Sequence, residues 1–229
     1  MKIGILQTGR SPEQLVAQHG EYGEMFQTLL ADRGFDFQTY DVIESRFPKN
    51  INECDGWIIT GSKFGVYEDL PWIAPLESLI RALHKARRPL IGVCFGHQII
   101  AQALGGKVEK FNGGWSVGRV DYPMADGRTL PLFAWHQDQV TTPPAGAVTV
   151  AQTEFCKHAA LTIGDHIYTI QPHPEFTAAF VTGLAETRAV GVVPDPERLA
   201  AIESTRLPVA RSEMADLFTS ILKGAMAHG

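Results

Sequence analysis

The chain has 229 residues, of which 45% are hydrophobic and 20% charged, and its formal net charge is -5 at pH 7. It is long enough to bury a large core without disulfides or metals, and its composition is that of an ordinary globular protein. The negative balance argues against nucleic acid as the main partner, because phosphate backbones select basic surfaces. Cys54, Cys94 and Cys156 are scattered and odd in number, which speaks against a disulfide framework and for a reducing compartment. Met1 to Gln7 turns polar too early for a signal peptide, and no apolar run approaches the ~20 residues of a membrane span. The expected location is therefore the cytoplasm, with no membrane partner.

In chain order, Lys2 to Gln7 predicts a buried strand, and Thr8 to Pro12 a loop rich in turn formers. Tyr22 to Arg33 carries Met25, Phe26, Leu29 and Leu30 at helical spacing, with Gly34 to end it. Phe35 to Val42 and Trp57 to Thr60 read as strands. Trp72 to Ala86 presents Leu76, Leu79, Ile80 and Leu83 on one helical face, and Pro89 to Val93 is a further short strand. Strands alternating with helices in this way suggest parallel strands joined by right-handed crossovers. From Lys107 to Gln171 short β-like runs follow one another (Val117–Tyr122, Phe133–Trp135, Val148–Gln152, Ala159–Ile163, Ile167–Ile170), which predicts an antiparallel section joined to the parallel sheet. Helical patterns return at Phe176–Ala189, Pro196–Thr205 and Ser212–Ala225. The expected fold is α/β, an open and mostly parallel sheet flanked by helices, with a smaller antiparallel β section. One domain is expected over residues 1–229, with 190–229 as a C-terminal helical extension that either packs on the sheet or forms a homodimer contact.

The most informative stretch is Gly92-Val93-Cys94-Phe95-Gly96-His97-Gln98. A strand precedes it, and an apolar helix carrying Ile99, Ile100, Ala103 and Leu104 follows, stopped by Gly105-Gly106. Gly-x-Cys-x-Gly has the logic of a nucleophile elbow, in which a sharp strand-to-helix turn lifts the nucleophile above the sheet edge. The glycines are needed where neighbouring backbones come close. The helix N-terminus directs partial positive charge and free N–H groups toward the sulfur and a developing oxyanion. A buried structural cysteine is the bland alternative for this stretch alone.

Together with Gln171-Pro172-His173-Pro174-Glu175-Phe176, 79 positions downstream counted from Cys94 to His173, the elbow resembles the class I glutamine amidotransferase domain. Ile58-Ile59-Thr60-Gly61-Ser62 resembles that family's Gly-rich oxyanion loop, and Trp135-His136-Gln137-Asp138-Gln139-Val140 its His-x-Asp-x-Val segment. The similarity spans roughly residues 2 to 185. Thr60-Gly61-Ser62-Lys63 with Tyr67-Glu68-Asp69-Leu70-Pro71-Trp72-Ile73 looks like the stand-alone branch, which includes γ-glutamyl peptidases. Fused synthetases usually read Ser-Gly-Gly-Pro at the oxyanion loop, whereas Ser62-Lys63 stands here.

The resemblance implies a flavodoxin-like sheet and a triad of Cys94, His173 and Glu175. Cys94 would attack a γ-glutamyl carboxamide, and His173 would protonate the leaving amine and then activate water. Glu175 would hold the imidazole, although a carboxylate in the first turn of a helix opening near Pro174 is an alternative role. The Phe95 N–H and one from Gly61–Ser62 would bind the oxyanion. Gln98, His136, Gln137 and Asp138 would contact the glutamyl substrate, the last three mainly through main-chain atoms, while Trp115 would either line the pocket or pack. His97 reads as structural. No Cys-x-x-Cys or His-Glu-x-x-His occurs, so no metal and no cofactor are expected.

Three readings of function compete. The first is a self-sufficient hydrolase of a γ-glutamyl amide. The second is a glutaminase subunit that delivers ammonia to a separate synthase, and the third a non-catalytic binding module that keeps the fold. Cysteine-elbow chaperones and peptidases tend to place the histidine beside the cysteine. Here Phe95 is adjacent to Cys94, which favours the amidotransferase order.

Overall fold

The computed structural model describes residues 1–224. The chain begins β1 (Lys2–Gln7), α1 (Glu13–His19), α2 (Tyr22–Leu29), β2 (Asp36–Asp41), β3 (Gly56–Ile59), α3 (Ile73–Lys85), β4 (Leu90–Val93) and α4 (Phe95–Ala103). Seven strands follow: β5 (Lys107–Lys110), β6 (Ser116–Pro123), β7 (Thr129–His136), β8 (Asp138–Thr142), β9 (Ala147–Ala151), β10 (Ala160–Ile163) and β11 (Ile167–Ile170). Helices α5 (Ala178–Glu186), α6 (Asp195–Ser204) and α7 (Arg211–Leu222) complete it.

Period-two alternation in the short apolar strands builds two cores. Ile3 and Ile5 of β1, Ile58 of β3, and Ile91 and Val93 of β4 share one core. Leu6, Trp57, Ile59 and Leu90, their neighbours along the same strands, belong to the other. Strands buried on both faces are the mark of a parallel sheet covered by helices. The order is β2-β1-β3-β4-β11-β10-β9. The first five run parallel, and β10 is antiparallel to both its neighbours. Phe26 and Leu29 of α2 join Met214 and Phe218 of α7 on the first face. Leu76, Ile80 and Leu83 of α3 join Ile99 and Ile100 of α4 on the second. The α/β class, the mostly parallel sheet and the antiparallel section thus stand as expected. No helix among the described residues is long and apolar enough to cross a membrane.

Several boundaries differ from the sequence expectations. Helix α1 follows the expected Thr8–Pro12 loop, in a stretch for which no helix was expected; at seven residues it is too short to show a period, and Leu15 is its one buried residue. Strands β5 and β8 were not expected, since Lys-Val-Glu-Lys carries a single apolar residue and β8 follows the His136–Asp138 segment directly. They pair with each other as a separate ribbon, and β6 pairs with β7 as another. The helix expected from Phe176 begins at Ala178, where the Thr177 side chain accepts the Phe180 N–H. Glu175 therefore lies outside the first helical turn. The helix expected over Ser212–Ala225 is α7; Ala225 lies outside the described residues.

Helix α7 fills the sheet's first face. Phe218 is fully buried and meets Tyr168 of β11 edge-on at 6.1 Å between ring centroids. Phe218→Ala is expected to destabilise the chain by roughly 3–5 kcal/mol in a denaturant titration, the usual range for a buried Phe. A loss below about 1 kcal/mol would instead describe a loosely attached appendage.

Candidate active site

Three adjacent parallel strands end at the same edge, and each releases one part of the site. Strand β3 leads into Thr60-Gly61-Ser62, β4 into Cys94, and β11 into Gln171-Pro172-His173. The register Ile59↔Gly92 and Val93↔Ile170 levels these ends. The carboxyl edge of an open α/β sheet is the usual place for a ligand site.

At the elbow, Cys94 adopts φ 53° and ψ −105°, a conformation that L side chains rarely take. The flanking glycines make this turn sterically feasible. A Cβ on Gly92 would come within 2.5 Å of the Gly96 carbonyl oxygen, and one on Gly96 within 2.3 Å of the Ile59 carbonyl oxygen. Backbone bonds fasten the turn to both neighbouring strands: the Cys94 N–H donates to Ile170 O at 2.9 Å, and the Gly96 N–H to Thr60 O at 3.2 Å. The Thr8 hydroxyl also donates to Thr60 O, at 2.9 Å. Cys94 itself is only 6% exposed.

His173 and Glu175 sit on the turn after β11. The His173 N–H donates to Phe133 O of β7 at 2.8 Å, and its Nδ1 lies 2.7 Å from Glu175 Oε1. Phe176 stacks on the imidazole at 3.9 Å and 5° between planes, which fixes the ring's tilt. Burial opposes charge on His173, but the Glu175 carboxylate and the neighbouring Cys94 sulfur outweigh it and push its pKa up to about 10. The raised pKa favours the protonated ring at neutral pH. Glu175 is 1% exposed.

These groups open on a cleft of about 460 Å³ bordered by Cys94, Gln98, Ser62, His136, Asp138 and His173. Gln137 and Trp115 also border it, so all four residues expected to contact substrate lie at its wall. Gln98 Nε2 donates to Asp138 O at 2.9 Å and to Gln171 Oε1 at 3.0 Å, joining α4 to the start of β8. His136 is buried, and burial depresses its pKa to about 3, so it is neutral. The Asp138 carboxylate accepts the Tyr67 hydroxyl at 2.9 Å, which spends that side chain on a loop contact. Gly61 is wedged in behind: a Cβ there would lie 2.9 Å from His173 Cε1. Among the described residues the Gly61 and Ser62 N–H groups make no hydrogen bond. Phe95 opens α4, so its N–H has no acceptor within the helix.

His97 lies off the cleft, fully buried, with Nδ1 2.7 Å from Thr169 Oγ1; burial takes its pKa to about 3. Lys63 and Trp135, within stretches the sequence points to, also line the cleft, as does Tyr22 at the head of α2; Lys110 and Arg188 line it as well and carry no local signal in the sequence. Among the described residues, no group of three or more His, Cys, Asp and Glu side chains is placed to hold a metal ion.

The family model for class I glutamine amidotransferases matches residues 20–180. Gamma-glutamyl peptidase 3 of Arabidopsis thaliana is 29% identical over 174 residues, covering 69% of this chain and 70% of that protein. The glutamine-hydrolyzing GMP synthase of Pyrobaculum aerophilum is 33% identical over 162 residues, which cover 68% of this chain and 31% of that protein. Among solved structures, a glutamine amido transferase from Methylobacillus Flagellatus shares 26% identity at a TM-score of 0.77, covering 100% of this chain and 96% of that one.

The strained elbow makes a direct prediction. Strain of about 1–3 kcal/mol at a sparsely populated φ/ψ exceeds the extra chain entropy of glycine, about 0.5–1 kcal/mol. Cys94→Gly should therefore melt at a higher temperature than Cys94→Ala. The reverse order would show that the elbow holds no strain at this position.

Proposed function

This chain belongs to the class I glutamine amidotransferase family and is an enzyme of the amidohydrolase type; from that premise we propose that it hydrolyses a γ-glutamyl amide through a thioester on Cys94, without a partner synthase. The observation that carries the reading is the meeting of a strained, nearly buried Cys94 with a hydrogen-bonded His173–Glu175 pair at one sheet edge.

Cys94 Sγ attacks the γ-carbonyl carbon as a thiolate, and the carbonyl π electrons move onto oxygen. The free N–H groups at Gly61–Ser62 and Phe95 receive that oxyanion; losing such a donor typically costs a factor of ~10²–10³ in rate. The imidazolium of His173 gives its proton to the departing nitrogen, and the C–N bond breaks to leave a thioester and a free amine. Neutral His173 then takes a proton from water, the hydroxide attacks the thioester, and glutamate leaves as the thiolate returns. Glu175 keeps the imidazole oriented and compensates its charge throughout.

The cleft supports a leaving group larger than ammonia. Its volume of about 460 Å³ falls in the ~300–1,000 Å³ range of pockets for drug-sized ligands, more than glutamine needs. Trp115, Trp135, Val192 and Val193 add apolar wall, and Lys63 and Lys110 add positive charge. A γ-glutamyl peptide fits these walls better than glutamine does. The similarity to a GMP synthase favours a second reading, a glutaminase that feeds ammonia to a separate synthase.

Glutamate release from glutamine and a panel of γ-glutamyl dipeptides, beside Cys94→Ala, tests the proposal. Release by the isolated chain, abolished in the variant and faster with dipeptides, is the expected result. No release from any compound, with a γ-glutamyl electrophile still labelling Cys94, would transfer the case to the partner-dependent glutaminase. Failure to label would remove Cys94 as nucleophile. A second outcome concerns pH. The Glu175 carboxylate raises the His173 pKa, so Glu175→Gln must lower it. The alkaline limb of kcat/KM, where the imidazolium loses its proton, should move to lower pH in that variant. An unmoved limb would contradict the assigned role of Glu175.

A further inference from the structure

His173 and Glu175 lie between β11, which ends at Ile170, and α5, which begins at Ala178, so no regular element holds them. Their turn is fastened at its start by the Gln171 N–H on Ala159 O at 2.7 Å and the His173 N–H on Phe133 O at 2.8 Å. Further on, two successive carbonyls point to a single side chain. Arg211 Nε donates to Pro174 O at 3.0 Å, and Arg211 Nη2 to Glu175 O at 3.3 Å. Arg211 is the first residue of α7, and the preceding Ala210 N–H donates to Pro131 O of β7 at 2.8 Å. The guanidinium thus stands on a fixed base.

The place of this arginine also needs explaining. A cation in the first turn of a helix opposes the helix dipole, by about 0.3–1 kcal/mol. Arg211 is half-buried as well, and burial draws its pKa down against the opposing Glu175 carboxylate. Both effects disfavour an arginine here unless its fork is used. The guanidinium is planar, with donors in fixed relative directions. Bonded to two successive carbonyls, it sets the two peptide planes on either side of the Glu175 Cα, and with them the direction in which the carboxylate leaves the backbone.

We propose that Arg211 is a positioning residue for the reaction: by clamping the Pro174 and Glu175 carbonyls it aims the Glu175 carboxylate at His173 Nδ1. It touches no substrate. It borders a small cavity of about 60 Å³, shared with Glu175, Thr177 and His19, and does not line the main cleft. The C-terminal helix, remote in sequence from the elbow, then serves the chemistry as well as the core. The role rests on the proposed triad, and a displacement of the acid on the scale of 1 Å can cost up to about 100-fold in rate.

Arg211→Met removes the fork and keeps much of the apolar stem, whereas Arg211→Lys keeps the charge and one donor direction. For Arg211→Met, kcat for a γ-glutamyl dipeptide is expected to fall roughly 10- to 100-fold with KM nearly unchanged, and Arg211→Lys should recover part of it. The proton shared by His173 Nδ1 and Glu175 Oε1 gives a far-downfield NMR resonance that requires no substrate. It should broaden or vanish in Arg211→Met while circular dichroism still reports a folded chain. The groups facing this pair are Cys94 from the elbow, His136 from β7, Tyr22 from α2 and Arg211 itself, so Tyr22→Phe serves as a control that leaves the resonance in place. An unchanged resonance and kcat in a folded Arg211→Met would overturn the proposal. So would a loss of kcat that follows only the fraction unfolded, with no return in Arg211→Lys. If the wild-type chain releases no glutamate from any compound, the proposed activity fails, and the resonance still decides the positioning role.

Discussion

The arrangement depends on one sharp reversal of backbone at Cys94. A residue with φ near 53° between Gly92 and Gly96 lets the chain leave β4 and enter α4 within a single position. That reversal brings the Gly96 carbonyl against Gly92 and the Ile59 carbonyl against Gly96, at separations no Cβ tolerates. Strand β3 must therefore lie directly beside the elbow, and its continuation, Thr60-Gly61-Ser62, passes close to Cys94: a Cβ on Gly61 would lie 3.7 Å from the Cys94 Cβ. The strain is tolerated because the surroundings over-determine it: two parallel neighbours hydrogen-bond the turn, and the Ile99–Ile100 face of α4 is buried in the second core.

Electrostatics at the site follow from where charge can be neutralised. Burial alone would strip the proton from His173, as it does from His97 and His136, both held near a pKa of about 3. What separates His173 from them is the carboxylate 2.7 Å from Nδ1, together with the neighbouring Cys94 sulfur. Three histidines in comparable burial thus divide into two neutral rings and one charged ring. The division comes from the sign of the nearest neighbour rather than from exposure.

The parts outside the central sheet serve the cleft. The β6–β7 ribbon supplies Phe133, whose carbonyl holds His173, and ends in His136 at the cleft wall. Helix α5 carries Phe180 and Leu184 into a third cluster with Tyr22 and Phe176, behind the imidazole's stacking partner. The cleft walls are therefore extensions of packed cores. The proposed reaction at Cys94, His173 and Glu175 would benefit from such rigidity, because a preorganised site needs little rearrangement during reaction.

Much of this could be read from neighbouring residues. The bounds of β1 and β11 coincide with their apolar runs, and the α/β class follows from strands alternating with amphipathic helices. The elbow was legible because its requirement is local: two glycines, one cysteine between them, a strand before and a helix after. Strand β5 was not, since Lys-Val-Glu-Lys has no alternation and becomes a strand only through its partner β8. Helix α1, with seven residues, is likewise held by what it packs on. The neighbourhood of β4 and β11, the stacking of Phe176 on His173, and the reach of Arg211 back across 37 positions to Pro174 are decided by tertiary structure alone. Periodicity and steric demand are properties of a few adjacent residues and are written in the sequence. Convergence of distant side chains depends on how all the buried surfaces pack at once, and no local pattern encodes it.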